Sequence, residues 1–255
     1  MSAHPSDSNG GTPARIAILS DVHGNLPAFR AVLADARAAG AEAVWFLGDL
    51  VGYGAHPDEC VTLAMEECDI VLGGNHDLAV AGVIDLTDFS PSAAAAARWT
   101  RENASEETLA TLAELVPASG AGRIGLFHGS PRDPIWEYVL SSAQAEECFD
   151  DMEERVGAIG HTHVALRFTR TDDETIGEQA PAGTAHSLEE GEWLVNPGSV
   201  GQPRDRDPRA AWMLVDVDRW TADWRRTEYP IGEAARAIAE ADLPRHLADR
   251  LFIGQ

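Results

Sequence analysis

The segment RIAILSDVHGNLPAFRAVLADARAAGAEAVWFLGD, residues Arg15–Asp49, contains two apolar runs on either side of an amphipathic stretch. The first run, Arg15–Ser20, is short and bounded by polar residues, as in a buried strand. A helix is predicted to follow, because Asn25 can cap it, Pro27 suits its first turn and Gly40 ends its apolar periodicity. AVWFLGD then has the pattern of a second strand. This order predicts neighbouring parallel strands.

The same alternation continues along the chain. A helix is expected after Pro57, and DIVLGG predicts a third strand that ends at Asn75. Two helices should begin after the capping residues Ser90 and Ser105, the second carrying its apolar face as far as Val116. Six strands are predicted beyond them, in RIGLF, VGAIG, VALRFTR, WLVNP, AAWMLVDV and WTADWRR, and the alternation of the last two favours antiparallel pairing. The pattern predicts an α/β protein.

One large domain, residues 15–255, accommodates all of these elements. Residues 1–14 form a polar stretch that is expected to be a disordered lead-in. Residues 171–191 are acidic and contain Gly and Pro, which predicts an exposed loop or a long hairpin. The last stretch, 231–255, is expected to form one or two helices.

The charge composition limits the choice of partners. Acidic residues outnumber basic ones by 42 to 19, every basic residue is Arg, and the formal net charge is −23. Such a surface repels nucleic acids and anionic membranes, so neither is expected as a partner. Three cysteines without C-x-x-C spacing favour a reducing cytoplasm. No apolar run approaches the roughly 20 residues that a membrane-spanning helix needs, and the first residues lack the apolar core of a signal peptide.

Potential metal ligands follow the predicted strands in the first two-thirds of the chain. A single Asp or His at a strand end is ordinarily a turn or capping residue. Here the pattern recurs five times, and the carboxyl ends of parallel strands are where ligands bind in open α/β sheets. The residues concerned are Asp21 and His23, then Asp49, then Asn75 and His76, then His128, and finally His161 and His163.

The chemistry of this set indicates a particular kind of site. Imidazole nitrogens mixed with carboxylate and amide oxygens, without a thiolate, suit borderline divalent ions; Mn is favoured, and Fe, Zn or Ni also fit. If His76 points at the substrate instead, seven ligands remain, which exceed the needs of one tetrahedral ion and fit two ions that share a carboxylate. Two such ions can hold a bridging hydroxide for in-line attack at phosphorus, which predicts hydrolysis of a phosphoester.

The ordered motifs DVHGN, GDLVGYG, GNHD, HGSP and GHTH resemble those of the calcineurin-like metallophosphoesterase superfamily. NPGSVGQPRDRDPRAAWMLVD further resembles the closing strand region of its YfcE/MJ-type phosphodiesterase branch in bacteria and archaea. The resemblance covers about four-fifths of the chain. It implies a four-layer αββα sandwich, in which two mixed β-sheets pack together and are flanked by helices.

The resemblance also implies roles for individual residues. Asp49 would bridge the two ions, His76 would protonate the leaving oxygen or stabilise the transition state, and Asp77 would orient the His76 imidazole. General acid assistance of this kind is worth about 10²–10⁴-fold in rate. The remaining implied ligands are Asp21, His23 and His163 for the first ion, and Asn75, His128 and His161 for the second.

A further group of residues could contact the substrate. Asn25 could line the phosphate site, although a helix N-cap explains it equally well. Arg204 and Arg209 could hold phosphate oxygens, or pair with the neighbouring aspartates instead. Trp136 and Tyr138 could form a lip that stacks a nucleobase, or belong to the local core.

These features favour a cytoplasmic phosphodiesterase or phosphatase that acts on a small phosphoester. Alternative substrates are protein phosphoserine or phosphothreonine and dinucleoside polyphosphates. A non-catalytic scaffold of the same fold is the alternative from another class, and His76 argues against it because a scaffold does not need it. Exposed strand edges or the C-terminal helices could support a homodimer.

Overall fold

The computed structural model describes residues 13–255. The predicted lead-in, 1–14, therefore lies outside the described residues except for its last two. Ala14 already belongs to the folded body, since its carbonyl accepts the Val217 N–H at 2.8 Å. Within the described part of the chain, no helix is long and apolar enough to cross a bilayer.

Twelve strands and eight α-helices make up the described chain, followed by a short 3-10 turn at Arg250–Phe252. The strands are β1 (Arg15–Leu19), β2 (Ala43–Phe46), β3 (Ile70–Val71), β4 (Ala118–Ala121), β5 (Ile124–Phe127), β6 (Val156–Ala158), β7 (Ala165–Arg170), β8 (Thr175–Gln179), β9 (Ala185–Ser187), β10 (Glu192–Pro197), β11 (Ala210–Asp216) and β12 (Thr221–Thr227). The helices are α1 (Leu26–Ala38), α2 (Pro57–Glu67), α3 (Asn75–Ala81), α4 (Pro91–Asn103), α5 (Glu106–Glu114), α6 (Ser142–Asp150), α7 (Ile231–Glu240) and α8 (His246–Asp249).

The strands form two mixed six-stranded sheets. The first has the order β3-β2-β1-β11-β12-β9, and the second β4-β5-β6-β10-β7-β8. The neighbours β1, β2 and β3 are parallel, as are β5, β6 and β10, whereas β11 and β12 are antiparallel as predicted. Each sheet therefore has a parallel part, whose carboxyl ends lie at one edge.

Three hydrophobic cores separate four layers, which confirms the αββα sandwich. Alternate residues of β1 point to opposite faces, so Ile16 and Ile18 enter the core between the sheets while Ala17 and Leu19 face the helices. Phe29 of α1 packs in that outer core. The third core lies between the second sheet and α6. A strand buried on both faces needs a continuous apolar sequence, which is why RIAILS contains no polar alternation.

The structure differs from the sequence prediction at four elements. Helix α6 was not predicted between the strands RIGLF and VGAIG. The third strand stops at Val71, and Asn75 begins helix α3 instead of ending a strand. Helix α5 ends at Glu114, so Val116 lies beyond it and its side chain is 55% exposed. Strand β4, with the sequence ASGA, was not predicted, because Ala, Ser and Gly give no strand signal.

The acidic segment 171–191 joins the two sheets. After a turn at 171–174, β8 returns antiparallel to β7 at the edge of the second sheet. Strand β9 then pairs with β12 at the edge of the first sheet. The segment therefore contributes one edge strand to each sheet.

Candidate metal centre

The loops that follow β1, β2, β5 and β6 bring two groups of potential metal ligands together. One group contains Asp21, His23, Asp49 and His163, and the other contains Asp49, His128 and His161; within each group the donor atoms lie within 4.8 Å of one another. Asp49 belongs to both groups. Buried Asp and His side chains therefore form two adjoining clusters that can hold two metal ions.

The Asp49 carboxylate lies between the two clusters. Its Oδ2 atom is 3.5 Å from the Nε2 atom of His23 and 3.5 Å from that of His128. Asn75, the first residue of α3, adds its Oδ1 atom to the second cluster at 3.2 Å from His128 Nε2. This placement agrees with a carboxylate that is shared by two ions.

In both Asp21 and Asp49, one carboxylate oxygen accepts a hydrogen bond from a backbone N–H and the other accepts none. Asp21 Oδ2 accepts the His161 N–H at 3.2 Å, and Asp49 Oδ1 accepts the His76 N–H at 2.9 Å. Among the described residues, the buried Oδ1 of Asp21 and Oδ2 of Asp49 have no hydrogen-bond partner. Unpaired buried oxygens are costly, and a bound cation would satisfy both of them.

Three of the histidines direct an unprotonated ring nitrogen toward the same two clusters. His23, His128 and His163 use Nδ1 to bond the carbonyls of Val51, Leu47 and Gln202, at 2.9, 3.0 and 2.7 Å. A carbonyl can only accept, so these Nδ1 atoms carry the protons and the Nε2 atoms carry lone pairs.

The spacing of the donor atoms also suits a metal. His23 Nε2 lies 3.1 Å from His163 Nε2, and His128 Nε2 lies 3.2 Å from His161 Nδ1. Ligands held at about 2.1 Å from one ion are about 3.0–3.4 Å apart in octahedral or tetrahedral geometry. The donor set and its spacing therefore fit two divalent ions.

Backbone strain is concentrated at these ligands. Asp21, His23, Asp49, His161 and His163 all have positive φ, between 50° and 65°. Non-glycine residues adopt this conformation at a cost of about 1–3 kcal/mol each, and they do so mainly where the surrounding structure enforces it. The fold thus holds these five residues in an unfavourable backbone conformation, which directs their donor side chains toward the two clusters.

Two glycines provide the space for this arrangement. Gly48 has a φ of +104°, and a Cβ atom there would lie 2.8 Å from His128 Nδ1. A Cβ atom on Gly74 would overlap the Asp49 carboxylate. The GD and GN pairs of the motifs are therefore explained by close approach of the backbone to the ligands.

Burial keeps the site residues close to neutral in the metal-free protein. Burial raises the pKa of Asp21 to about 7, and it raises that of Asp49 well above its usual range, helped by the nearby Asp77 charge. The pKa values of His23 and His163 fall well below the usual range, mainly through burial and also through neighbouring positive charge. Metal ions would reverse this balance for the carboxylates.

His76 lies beside the ligands, but Asp77 does not orient it. The His76 ring is 4.9 Å from that of His23, and burial lowers its pKa to about 3. Its buried Nδ1 has no partner among the described residues. Asp77 instead accepts backbone N–H groups from the β2 loop and from the start of α3. The donors are Asp49, Leu50, Val51 and Gly74, at 2.8, 3.2, 3.0 and 3.0 Å.

The predicted role of Asp77 was therefore wrong for a physical reason. As the third residue of α3 it accepts the N–H of the N-cap residue Gly74, and its carboxylate fixes the loop that carries Asp49. The sequence GNHD suggested a His–Asp pair, but residues 76 and 77 are adjacent on a helix and do not face each other.

The two candidate arginines have different surroundings. Arg204 lies at the metal centre, where its positive charge lowers the pKa values of Asp21 and His163 among others. Arg209 forms an ion pair with Asp207 at 2.6 Å. Of the two alternatives for Arg209, the structure shows the pairing with a neighbouring aspartate, and a contact with substrate stays a prediction.

Asn25 has no N–H donor left in its side chain for a phosphate oxygen. Its Oδ1 caps α1 by accepting the Ala28 N–H at 3.2 Å, and its Nδ2 donates to the Gly201 carbonyl at 2.8 Å and to the Tyr229 hydroxyl at 3.3 Å. The N-cap interpretation is confirmed, and the predicted contact with phosphate is wrong because the side chain is already satisfied.

Aromatic rings surround the opening of the site. Tyr138 lies 3.9 Å from the His161 ring, and Trp136 packs edge-to-face against Phe89 at 5.3 Å. Phe89 in turn meets the His76 ring at 5.0 Å, and Tyr53 meets it at 4.5 Å from another side. The sequence analysis missed Tyr53 and Phe89. The position of Tyr53 inside the GDLVGYG motif could have indicated that it lies at the site, whereas the sequence around Phe89 contains no such motif.

Asn196 is a further residue whose role was missed. Its Nδ2 donates to the Gly160 carbonyl at 2.7 Å and to the Thr162 hydroxyl at 3.0 Å. It therefore supports the loop that carries His161 and His163. The following amides of Val200 and Gly201 bond the Ser20 and Asp21 carbonyls, so this turn holds ligand loops together.

Two adjoining clusters of buried Asp and His side chains lie at the carboxyl ends of strands from both sheets. This arrangement is that of a metal-binding α/β protein. The model of the calcineurin-like phosphoesterase superfamily domain matches residues 15–219. The chain belongs to the calcineurin-like phosphoesterase superfamily.

Individual proteins are similar to this chain over nearly its whole length. The chain is 34% identical over 245 residues to a protein of Methanocaldococcus jannaschii called uncharacterized protein MJ0912, and the match covers 94% of this chain and 98% of the relative. It is similar to the crystal structure of a metallophosphoesterase from Sphaerobacter thermophilus, with 38% identity, a TM-score of 0.87 and coverage of 95% and 100%. The hypothetical protein PH1004 from Pyrococcus horikoshii shares the fold, with 20% identity, a TM-score of 0.76 and coverage of 94% and 98%.

Proposed function

We propose that this protein is a dinuclear-metal-dependent hydrolase of phosphoester bonds, acting as a phosphodiesterase or a phosphatase. The observation that carries the proposal is the position of Asp49 Oδ2, equidistant from ligands of both clusters. One carboxylate shared by two sets of nitrogen donors is the arrangement that a two-ion site requires. Membership of the superfamily and the similarity to a metallophosphoesterase support the same reaction class.

The chain's own residues have distinct tasks in this proposal. Asp21, His23 and His163 would hold one ion, Asn75, His128 and His161 the other, and Asp49 both. When bound, such ions activate water and neutralise phosphoryl oxygens. Mn is the proposed occupant, with Fe, Zn or Ni as alternatives, because mixed nitrogen and oxygen donors accept all of them.

His76 is proposed to serve the leaving group. Its ring lies beside the first cluster and its Nδ1 has no partner within residues 13–255, so it is available to the substrate. Burial keeps the ring neutral, and a neutral imidazole can donate one N–H to the leaving oxygen. Phe89 and Tyr53 on either side fix the plane of the ring.

The proposed substrate is a small phosphoester in the cytoplasm. The net charge of −23 disfavours nucleic acid, which supports a small substrate. The three cysteines are free thiols, which supports a reducing compartment.

The test is hydrolysis of p-nitrophenyl phosphate and bis-(p-nitrophenyl) phosphate by protein that is first stripped of metal and then reloaded with manganese. We expect turnover only after reloading. His76→Ala should lower kcat by about 10²–10⁴-fold and leave the bound manganese unchanged. The exposed His246→Ala is the matched control and should retain full activity. Inactivity toward both esters at full metal occupancy would contradict the proposal and favour a scaffold.

A further inference from the structure

The strongest remaining feature is Arg204, a cation that faces the metal clusters without a carboxylate partner among the described residues. Its two neighbouring aspartates are occupied, Asp205 by an ion pair with Arg226 and Asp207 by Arg209. The guanidinium is instead held by a neutral group, since its Nη2 donates to Gln202 Oε1 at 3.0 Å. Its Nε is buried and has no partner in the described part of the chain.

The backbone around Arg204 is hydrogen-bonded to His163, a potential ligand of the first cluster. Its N–H bonds the His163 carbonyl at 3.0 Å, and the carbonyl of Gln202 accepts from Nδ1 of the same histidine at 2.7 Å. Gln202 therefore orients both a metal ligand and the arginine. A shift of this turn would move the two groups together, so their relative position is fixed by the backbone.

Two tyrosines lie near the metal clusters, and the ring of one of them is beside the guanidinium. Arg204 Cζ is 5.9 Å from the centre of the Tyr53 ring, which itself contacts His23 at 4.7 Å. Tyr138 stands on the other cluster, 3.9 Å from His161. Burial raises the pKa of both tyrosines, and interaction of each hydroxyl with Arg204 opposes that rise. One cation and two neutral donors thus lie around the two clusters.

The positive charge of Arg204 next to a two-ion site indicates what kind of ligand these donors bind. A guanidinium beside two divalent cations is repelled by them, unless an anion lies between the cations and the guanidinium. A phosphoryl group is such an anion, and the planar guanidinium of arginine can donate hydrogen bonds to two of its oxygens. A phosphate monoester carries one more charge than a diester, and its third non-bridging oxygen is not masked by a second ester group.

We propose that Arg204, with the hydroxyls of Tyr53 and Tyr138, forms an anion subsite that binds the non-bridging oxygens of a phosphate monoester and selects monoesters over diesters. The inference rests on the proposed phosphoester hydrolysis and names the substrate class for that reaction. Arg204 is a substrate-binding residue in it, and Gln202 is a positioning residue.

The experiment compares Arg204→Gln with Arg209→Gln in manganese-loaded protein. Arg209 is the matched control, because it stands five residues away on the same turn and pairs with Asp207. Binding of inorganic phosphate is measured by calorimetry, and kcat and KM are measured with p-nitrophenyl phosphate and with bis-(p-nitrophenyl) phosphate. Bound manganese is determined for each variant.

We expect Arg204→Gln to weaken phosphate binding and to raise the KM for the monoester by about 10–100-fold, the worth of a charge-assisted hydrogen bond. The loss toward the diester, which has one charge and one non-bridging oxygen fewer, should be clearly smaller. Manganese content and the Arg209→Gln variant should stay near wild type. Arg204→Lys should recover part of the loss, since it restores the charge without the fork. Tyr138→Phe should weaken phosphate binding by a smaller factor, because it removes a neutral donor.

Unchanged phosphate binding in Arg204→Gln, or an equal loss toward both esters, would overturn the subsite. So would failure of the wild-type protein to bind phosphate. These results are separable from failure of the proposed function. A wild-type protein that binds phosphate through Arg204 and hydrolyses neither ester would contradict the hydrolase and retain the subsite, whereas active protein with an unaffected Arg204→Gln variant would contradict the subsite alone.

Discussion

The Nε2 atoms of His23 and His163 face each other at 3.1 Å, and neither carries a proton. Both rings donate from Nδ1 to backbone carbonyls, so two lone pairs meet in a buried space. Two acceptors cannot bond each other, and their repulsion is relieved only when a cation binds them both. This contact is therefore unfavourable in the metal-free fold and favourable in the metal-bound one.

The first prediction follows from that contact. Manganese should raise the melting temperature of chelator-treated protein in a concentration-dependent way, because it binds only the folded chain; a hundredfold excess over Kd corresponds to about 2.7 kcal/mol. His163→Ala should reduce the number of bound ions, measured by metal analysis after dialysis. Asp49→Asn should weaken both ions. The control His246→Ala should bind the same number of ions as wild type, and equal binding by His163→Ala would contradict the assigned ligands.

The sequence predicted the metal centre better than it predicted the groups around it. Each ligand except Asn75, which begins α3, lies in the loop that follows an apolar strand, so local sequence and sheet topology together place it at the carboxyl edge. Arg209 and Asn25 could not be judged in the same way, because their partners, Asp207 at i−2 and Gly201 far along the chain, depend on loop conformation. Phe89 lies in a loop without periodicity, and nothing local brings it to His76.

Secondary structure shows the same division. Helix α1 was predictable because the Asn25 cap, Pro27 and a continuous apolar face agree with one another. Helix α3 was not, since it is only seven residues long and follows a two-residue strand. Its stability comes from Asp77 and from packing, which a local pattern does not show.

The second prediction concerns the capping carboxylate of Asp77. Asp77→Ala leaves four buried backbone N–H groups without their acceptor, so the free energy of unfolding should fall by about 3–5 kcal/mol. Metal affinity should fall with it, because the loop that carries Asp49 is released. Urea unfolding of the metal-free variant measures the first effect. His76→Ala should keep its manganese. A stable, metal-replete Asp77→Ala with low turnover would instead support the orienting role.

The third prediction uses two glycines with similar backbones. Gly52 and Gly122 both have positive φ, +86° and +65°, so substitution by Ala strains each of them. A Cβ atom on Gly52 would overlap Nδ1 of His76, whereas one on Gly122 would meet no atom within 4 Å in the described structure. Gly52→Ala should therefore lower kcat by at least tenfold, roughly the effect of displacing a catalytic group. Gly122→Ala should lose a similar amount of stability and keep its turnover. Equal kcat values would show that His76 tolerates displacement.

The fourth prediction is a pH dependence of the metal-free protein. Burial lowers the pKa of His76 to about 3, and the other site histidines are lowered as well, whereas in the unfolded chain they titrate near 6.5. Below pH 6.5 the unfolded chain binds more protons, so stability is lost as the pH falls. Urea unfolding with a chelator at pH 7 and pH 5 should show this loss. His76→Gln should diminish it by about 2 kcal/mol, and the exposed His246→Gln should leave it unchanged.

Asp21 should contribute with the opposite sign. Its pKa rises to about 7 in the folded protein from 3.8, so the folded chain binds the extra proton and stability falls as the pH rises between these values. Asp21→Asn removes that decline, and its advantage over wild type in the metal-free state should grow from pH 5 to pH 7. Manganese should cancel the advantage, because the ion replaces the proton on the wild-type carboxylate and the variant binds the ion weakly. A constant difference between the two proteins across this range would show that Asp21 is ionised in the metal-free fold.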